Sequence, residues 1–485
     1  MFFNSLKFLL IFPLIFGIHW AIPANYNQWR KAFLILVSYL LYMNWKPAFA
    51  LVLLGVTLVT YGGGYLLSSE LKDKIEELVE SSKGSKFKSS RRKRLAWCFA
   101  LLGLLPLLVF KYYNFLNESI SDGLAAIGLQ FAKPGLNWAV PVGISFFTFQ
   151  AVGYMLDVYH GRVKAEKNFV DYVLFVSFFP QIASGPISKA DELLPQIKKE
   201  RVFNYDQAVS GLKYLLWGMF LKVVLADRAG IYVDTVFGSY EKFSGVGCAI
   251  ASVIYSIQIY ADFAGYSLMA VGIGKTLGFD LINNFRRPYF AASVTEFWKR
   301  WHISLTRWLT QQVYIPLGGS RCSKIRNYWN ILVTFLVSGI WHGANWTFIV
   351  WGVIHGVFQI IEKDFGWNKK ESRGIVKALR ILVTFAVVTV AWVVFRSPSI
   401  SDAFGMIGRY ITTSGKAIAD IQTLLYIIIA ILPLLLLEFG QELFPMALGK
   451  LMQVTVFRWA AYLAVFAMII LLGVHDGSSF IYVSF

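Results

Sequence analysis

The chain has 485 residues, of which 56% are hydrophobic, 17% aromatic and only 15% charged. A soluble globular chain carries about 25% charged residues, so this composition excludes a protein with an ordinary water-facing surface. The net charge of +18 suits basic loops beside membrane segments, so the expected partner is the lipid bilayer and not nucleic acid.

Apolar runs occur at 8–20, 50–67, 97–109, 331–361, 381–394 and 426–437. A helix crosses the bilayer core with about 20 apolar residues. The expected fold class is all-α integral membrane, polytopic, with about 12 passes plus re-entrant or interfacial helices. The first run reads as a retained helix, because further such runs follow it. The chain reads as a single membrane domain. Within it, 1–137 holds N-terminal helices with a basic loop at 71–94, 138–362 a catalytic core, 363–474 the C-terminal helices and 475–485 a tail. Cys98, Cys248 and Cys322 lie far apart with no CxxC spacing, so neither a disulfide framework nor a metal site is expected.

Basic clusters at 72–94, 162–167, 189–201, 286–326 and 363–380 orient the chain if all are cytoplasmic. The N-terminus and the residues from His475 onward are then extracytoplasmic.

The stretch 262–317 departs from ordinary membrane helices. Asp262 interrupts an apolar run, and Asn283-Asn284-Phe285-Arg286-Arg287-Pro288-Tyr289 follows. Next comes Phe297-Trp298-Lys299-Arg300-Trp301-His302-Ile303-Ser304-Leu305, an amphipathic element suited to the cytoplasmic interface. It reads either as an interfacial helix with Trp anchors or as a cationic vestibule. In the second reading Arg286, Arg287, Lys299 and Arg300 receive an anionic cytosolic donor such as coenzyme A, whose phosphates suit Arg and Lys.

The stretch 328–361 has no Asp, Glu, Lys or Arg, yet holds His342 and His355. As one helix it would run roughly 50 Å, too long for one bilayer core. Gly339, Gly343 and Asn345 favour a break at its centre. Non-helical backbone at membrane depth survives when packed in protein or lining a wet cavity. Trp341-His342-Gly343-Ala344-Asn345-Trp346 therefore reads as lining a tunnel. An ionisable group there is a functional candidate by default; the structural alternative is a hydrogen-bonded packing histidine. His19, His160 and His475 read as interfacial or loop residues.

These stretches resemble the membrane-bound O-acyltransferase (MBOAT) family, in its bacterial alginate O-acetyltransferase-like branch. The resemblance rests on Pro141-Val142-Gly143-Ile144-Ser145-Phe146-Phe147-Thr148-Phe149-Gln150, Phe179-Pro180-Gln181 with Gly185-Pro186, and Tyr260-Ala261-Asp262-Phe263-Ala264-Gly265-Tyr266-Ser267. It extends through Asn284–Tyr289, Glu296–Leu305 and Trp341-His342-Gly343. One position departs: Leu268 stands where that branch usually has Asp, which bears on the alginate pathway and not on the reaction class. The resemblance implies a helical bundle forming a funnel and a tunnel, with His342 catalytic and His302 at the second signature position. Asp262, Glu296, Trp341 and Asn345 would support the tunnel, the two carboxylates pairing with Arg or Lys.

Acyl transfer from a thioester to a hydroxyl needs a base and donors near the developing oxyanion. His342 is the expected base, and His302 the group that orients the thioester carbonyl. The ending Phe480-Ile481-Tyr482-Val483-Ser484-Phe485 resembles a terminal F-x-Y-x-x-F motif of bacterial members, proposed there to carry the acyl group on its tyrosine. The expected reaction moves an acetyl group from acetyl-CoA to an extracytoplasmic envelope polysaccharide. An extracytoplasmic SGNH-type, AlgJ/AlgX-, PatB- or DltD-like acyltransferase would act as partner, and no bound cofactor is expected. The alternatives are D-alanyl transfer from a carrier-protein thioester and, in another class, a transporter or flippase.

Overall fold

The computed structural model describes residues 3–68, 85–129, 135–136, 138–367 and 372–474, with the backbone alone for 85–91. Tyr482 and His475 lie outside the described residues. Among those described, the regular elements are helices and no strand forms. Seven helical stretches are long and apolar enough to cross a membrane, and up to eight if the pair Leu6–Ala21 and Ala24–Met43, bent by 107°, is one span. The remaining apolar residues build shorter helices and one helical hairpin.

The chain divides into two compact units. The first comprises 6–211 and 273–282. It contains α1 (Leu6–Ala21), α2 (Asn27–Met43), α3 (Ala48–Leu66), α4 (Ser85–Leu107), α5 (Tyr113–Ala126), α6 (Ile144–Tyr159), α7 (Phe169–Ser177), α8 (Phe179–Ile182) and α9 (Ala190–Lys198). A buried ion pair, Lys31 to Asp171 at 2.6 Å, ties α2 to α7. The first signature motif opens α6 with Gly143 at φ 72°, where a Cβ would overlap the Ile182 carbonyl; only glycine fits. The motif closes on Gln150, whose amide donates to the Phe175 carbonyl at 2.5 Å and approaches Gln181 at 3.4 Å. Gln181 in turn donates to the Pro186 carbonyl at 3.1 Å. The two glutamine motifs are thus a packing device that satisfies backbone carbonyls in an apolar interior. His19 is buried, with its ring 3.2 Å from the Leu277 carbonyl. His160 ends α6 as its cap.

The second unit comprises 3–5, 212–272 and the described residues from Asn283 onward. It is entered through α10 (Tyr205–Met219), a π-helical turn at Phe220–Ala226 and α11 (Asp227–Phe237). Then follow α12 (Gly245–Thr276), α13 (Val294–Arg300), α14 (Ile303–Leu309), α15 (Lys324–His342) and α16 (Trp346–Asp364). The last helices are α17 (Gly374–Arg396), α18 (Ile400–Arg409), α19 (Ile421–Leu443), α20 (Pro445–Gln453) and α21 (Thr455–Leu472). The π turn widens the helix where Lys222 must reach two carboxylates, Asp227 and Asp262, each at 2.7 Å. All three side chains are buried, so one cation is shared between two carboxylates where water is scarce. The same turn anchors the end of α21. The Val474 amide donates to the Val223 carbonyl at 2.9 Å, and Arg228 donates to the Leu472 carbonyl at 2.6 Å.

The long apolar stretch breaks where its glycines and asparagine lie. Each arm, α15 and α16, has 19 residues, or roughly 28 Å. The arms pack antiparallel, and a Cβ at Gly339 would overlap the Phe348 carbonyl, as one at Gly352 would overlap the Phe335 carbonyl. Small residues let the two backbones approach as membrane helices often do.

Candidate active site

His342 is the last residue of α15. The next residue, Gly343, has no room for a side chain, because a Cβ would strike the Phe348 ring. Asn345 then starts α16: its side chain accepts from the Thr347 amide at 3.0 Å and donates to the Pro398 carbonyl at 2.9 Å. This cap fixes the tip of the hairpin against the segment after α17. His342 is 1% exposed and meets three aromatic rings edge-on: Trp341 at 4.9 Å, Trp351 at 5.0 Å and Phe395 at 5.3 Å between centroids.

His302 arrives from a different part of the chain. It sits between α13 and α14, fully buried, edge-on to Phe263 at 4.6 Å and to Trp341 at 5.6 Å. The two signature histidines, 40 positions apart in the sequence, therefore pack on the same indole. His302 is outside the seven long apolar helices, and burial holds its imidazole well below the ordinary histidine pKa. It is neutral at physiological pH.

The backbone that delivers His302 is strained. Among the described residues, only two other than glycine have positive φ: Arg287 at 47° and His302 at 42°. Left-handed backbone costs a side-chain-bearing residue about 1–3 kcal/mol. Both belong to one zipped double turn. The Arg286 amide donates to the Arg300 carbonyl at 2.9 Å, and the Ile303 amide to the Asn284 carbonyl at 3.0 Å. The Asn284 side chain accepts from the Ser304 amide at 3.1 Å. From α19, Glu442 clamps both arms of this turn. It accepts from Arg287 Nε at 2.7 Å and from both terminal nitrogens of Arg300 at 3.1 Å. Glu438, one turn earlier, accepts a short hydrogen bond from the Tyr260 hydroxyl.

Helix α13 is held from its other side by α16. The Glu362 carboxylate takes up the free amides at its start, Val294 and Thr295, together with the Thr295 hydroxyl. Trp298 donates its indole N–H to His355 Nδ1 at 3.2 Å. His355 is thereby a hydrogen-bonded packing residue with its proton on Nε2.

Of the residues singled out from the sequence, His302, His342 and Trp341 come together. Asp262 is ion-paired with Lys222, and Glu296 with Arg300 at 2.6 Å. Arg287 and Arg300 are engaged with Glu442. Lys299 is exposed and lines a basic cavity with residues of α17. The sequence reading passed over Glu442, Glu362 and Lys222. A signal existed, since each is a charge in or beside an apolar run, where ionisable residues are costly. Among the described residues no group of His, Cys, Asp and Glu is arranged to hold a metal ion.

The family model for membrane-bound O-acyltransferases matches residues 163–393. A probable alginate O-acetylase AlgI of Pseudomonas aeruginosa is 34% identical over 412 residues, 84% of this chain and 74% of that protein. A peptidoglycan O-acetyltransferase of Helicobacter pylori is 35% identical over 314 residues, 59% of this chain and 60% of its own length. A teichoic acid D-alanyltransferase of Bacillus subtilis is 26% identical over 327 residues, covering 64% and 80%. With identity above 30% across most of its length, and with both signature histidines on one buried indole, the chain belongs to the membrane-bound O-acyltransferase family.

Proposed function

We propose that this membrane enzyme O-acetylates an extracytoplasmic envelope polysaccharide, drawing the acetyl group from a cytosolic thioester, acetyl-CoA. The observation that carries the reading is the pairing of His302 and His342 on Trp341. A buried neutral imidazole is a competent base for a hydroxyl. His342 Nε2 or Nδ1 takes the hydroxyl proton as the oxygen attacks the thioester carbonyl. The C–S bond then breaks, and the thiolate recovers that proton from the imidazolium. His302, neutral and fixed by the strained turn, orients the carbonyl.

The first acceptor in this reading is the Tyr482 hydroxyl. A phenol, with a pKa near 10, gives an aryl ester more activated than a sugar ester, so the two transfers run downhill. Tyr482 follows the anchored Val474 by eight residues, a reach of roughly 26 Å. An extracytoplasmic SGNH-type or DltD-like acyltransferase then carries the group to the polymer, with the enzyme in the inner membrane and Tyr482 on its outer side. The alginate and peptidoglycan O-acetylating relatives support acetyl over D-alanyl as the acyl group, D-alanyl transfer being the second reading on the more distant teichoic acid relative.

The test is His342→Ala. Loss of a general base costs 10²–10⁴-fold, so acetyl transfer should fall at least 100-fold in membranes holding parental amounts of protein. Parental transfer rates in that variant would refute the assignment.

A further inference from the structure

Helix α16 carries three polar side chains at successive turns, Thr347, Trp351 and His355. At a spacing of four residues they share one face of the helix, and all three are fully buried. Among the described residues the Thr347 hydroxyl, the Trp351 indole N–H and His355 Nε2 have no hydrogen-bond partner. Buried polar groups are nearly always paired, and an unmade hydrogen bond in a dry interior is costly. An unpaired buried donor is therefore expected where it serves the chemistry and not the packing.

The middle member of this row sits against His342, the ring centroids 5.0 Å apart and the planes at 86°. Four further rings hold the indole in place: His355 at 4.9 Å, Phe395 at 5.2 Å, Trp298 at 5.5 Å and Trp392 at 5.7 Å. None of them offers its N–H a free lone pair. His355 Nδ1 is taken by Trp298, and the others have no acceptor atom. Acyl transfer brings a hydroxyl oxygen to about 2.6–3.2 Å from the imidazole and the thioester carbon to about 3–3.5 Å from that oxygen. The carbonyl oxygen thus gains its charge within roughly 8 Å of His342, in the zone that Trp351 borders.

We propose that Trp351 is a further catalytic residue: its indole N–H donates to the carbonyl oxygen of the thioester as that oxygen becomes an anion. The proposal rests on the acyl-transfer reading. The attacking oxygen bonds to the carbonyl carbon, the π pair moves onto the carbonyl oxygen, and the hydroxyl proton goes to His342. Trp351 donates to the oxyanion and keeps its own proton. The carbonyl then re-forms, the C–S bond breaks with its electron pair on sulfur, and the thiolate takes the proton back from His342. The hydrogen bond strengthens as the charge develops, so it raises kcat more than it tightens substrate binding. Held by its ring neighbours, the donor is preorganised for that moment.

The experiment uses the purified full-length enzyme with acetyl-CoA, and reads kcat, KM and the thermal midpoint. Trp351→Phe removes the donor but also shrinks the ring. Trp351→benzothienylalanine keeps the bicyclic shape and exchanges only the N–H for sulfur. Loss of one oxyanion donor costs about 10²–10³-fold in kcat, so kcat should fall at least 100-fold in both variants, with KM within threefold of the parent. The midpoint of the benzothienylalanine variant should equal or exceed the parent's, because no ground-state hydrogen bond is lost. The same exchange at Trp298, whose N–H is bonded to His355, should lower the midpoint and serves as the comparison. A kcat within threefold of the parent in the benzothienylalanine variant at 351 overturns the proposal. So does a midpoint that drops as it does for Trp298, since the N–H then has a structural partner such as a buried water. If the parent enzyme takes D-alanine from a carrier-protein thioester and not acetate from coenzyme A, the acetyl reading fails. The same variants are then compared on that thioester, whose carbonyl develops the same charge.

Discussion

Glu442 lies outside the stretch matched by the family model, yet it grips both arms of the turn that presents His302. Removing one partner of a buried ion pair costs about 3–5 kcal/mol, since the other charge is left uncompensated. Here the side chains are 10–21% exposed, and Glu296 continues to hold Arg300. Water and that second carboxylate bring the expected cost of Glu442→Gln to about 2–3 kcal/mol. The two left-handed residues in the turn store strain of about the same size. With the clamp gone, strain and clamp no longer balance, and the turn relaxes away from the geometry that sets His302 against Trp341. If that cost falls on the transition state, acyl transfer drops about 100-fold. The assay is single-turnover transfer by purified enzyme, with a thermal midpoint on the same sample. Glu442→Asp, which keeps the charge on a shorter arm, should recover at least tenfold of the loss. Transfer by Glu442→Gln within threefold of the parent would refute the reasoning.

Further outcomes follow from the same geometry. Tyr482→Phe keeps the ring and removes only the nucleophile, so acylation of the extracytoplasmic polymer should be lost while thioester binding is unchanged; full polymer acylation would remove the carrier role. Trp298→Phe takes away the hydrogen bond to His355 and should lower stability by about 1 kcal/mol, with transfer reduced less than tenfold, as measured by unfolding midpoint and transfer rate.

The sequence made the hairpin legible because its signals are local. Gly339, Gly343 and Asn345 interrupt an uncharged run too long for one pass, and the chain breaks at 343–345 with Asn345 as the cap. His342 was legible for the same reason: an ionisable residue in an apolar run is expensive. Partnership was not local, and so was not legible. Arg287 and Arg300 look like free cations when read along the chain, and their shared carboxylate is about 140 positions away. Asp262 interrupts an apolar helix, but nothing near it in sequence names Lys222. His19 looks like an interfacial or loop residue, and nothing near it in sequence names the Leu277 carbonyl, 258 positions on, that holds it. Charge and hydropathy mark where a cost arises, while packing across distant segments decides how it is met.

His302 carries its side chain on backbone that glycine would adopt at far less cost. A position that keeps an expensive residue is a position where the side chain matters. This separates strain from function experimentally. His302→Ala and His302→Gly both delete the imidazole and its contacts with Phe263 and Trp341, so both should lose transfer to the same degree. They differ in the backbone alone: alanine keeps the left-handed penalty at φ 42° and glycine escapes it. Left-handed backbone costs the alanine about 1–2 kcal/mol and glycine's greater freedom when unfolded returns about 0.4–1 kcal/mol of it, so the glycine variant should be the more stable of the two by up to about 1 kcal/mol. Denaturation of the two variants side by side reads this difference directly. An alanine variant at least as stable as the glycine one would show that the turn is unstrained. Glu442 and the double turn would then not set the placement of His302 through strain.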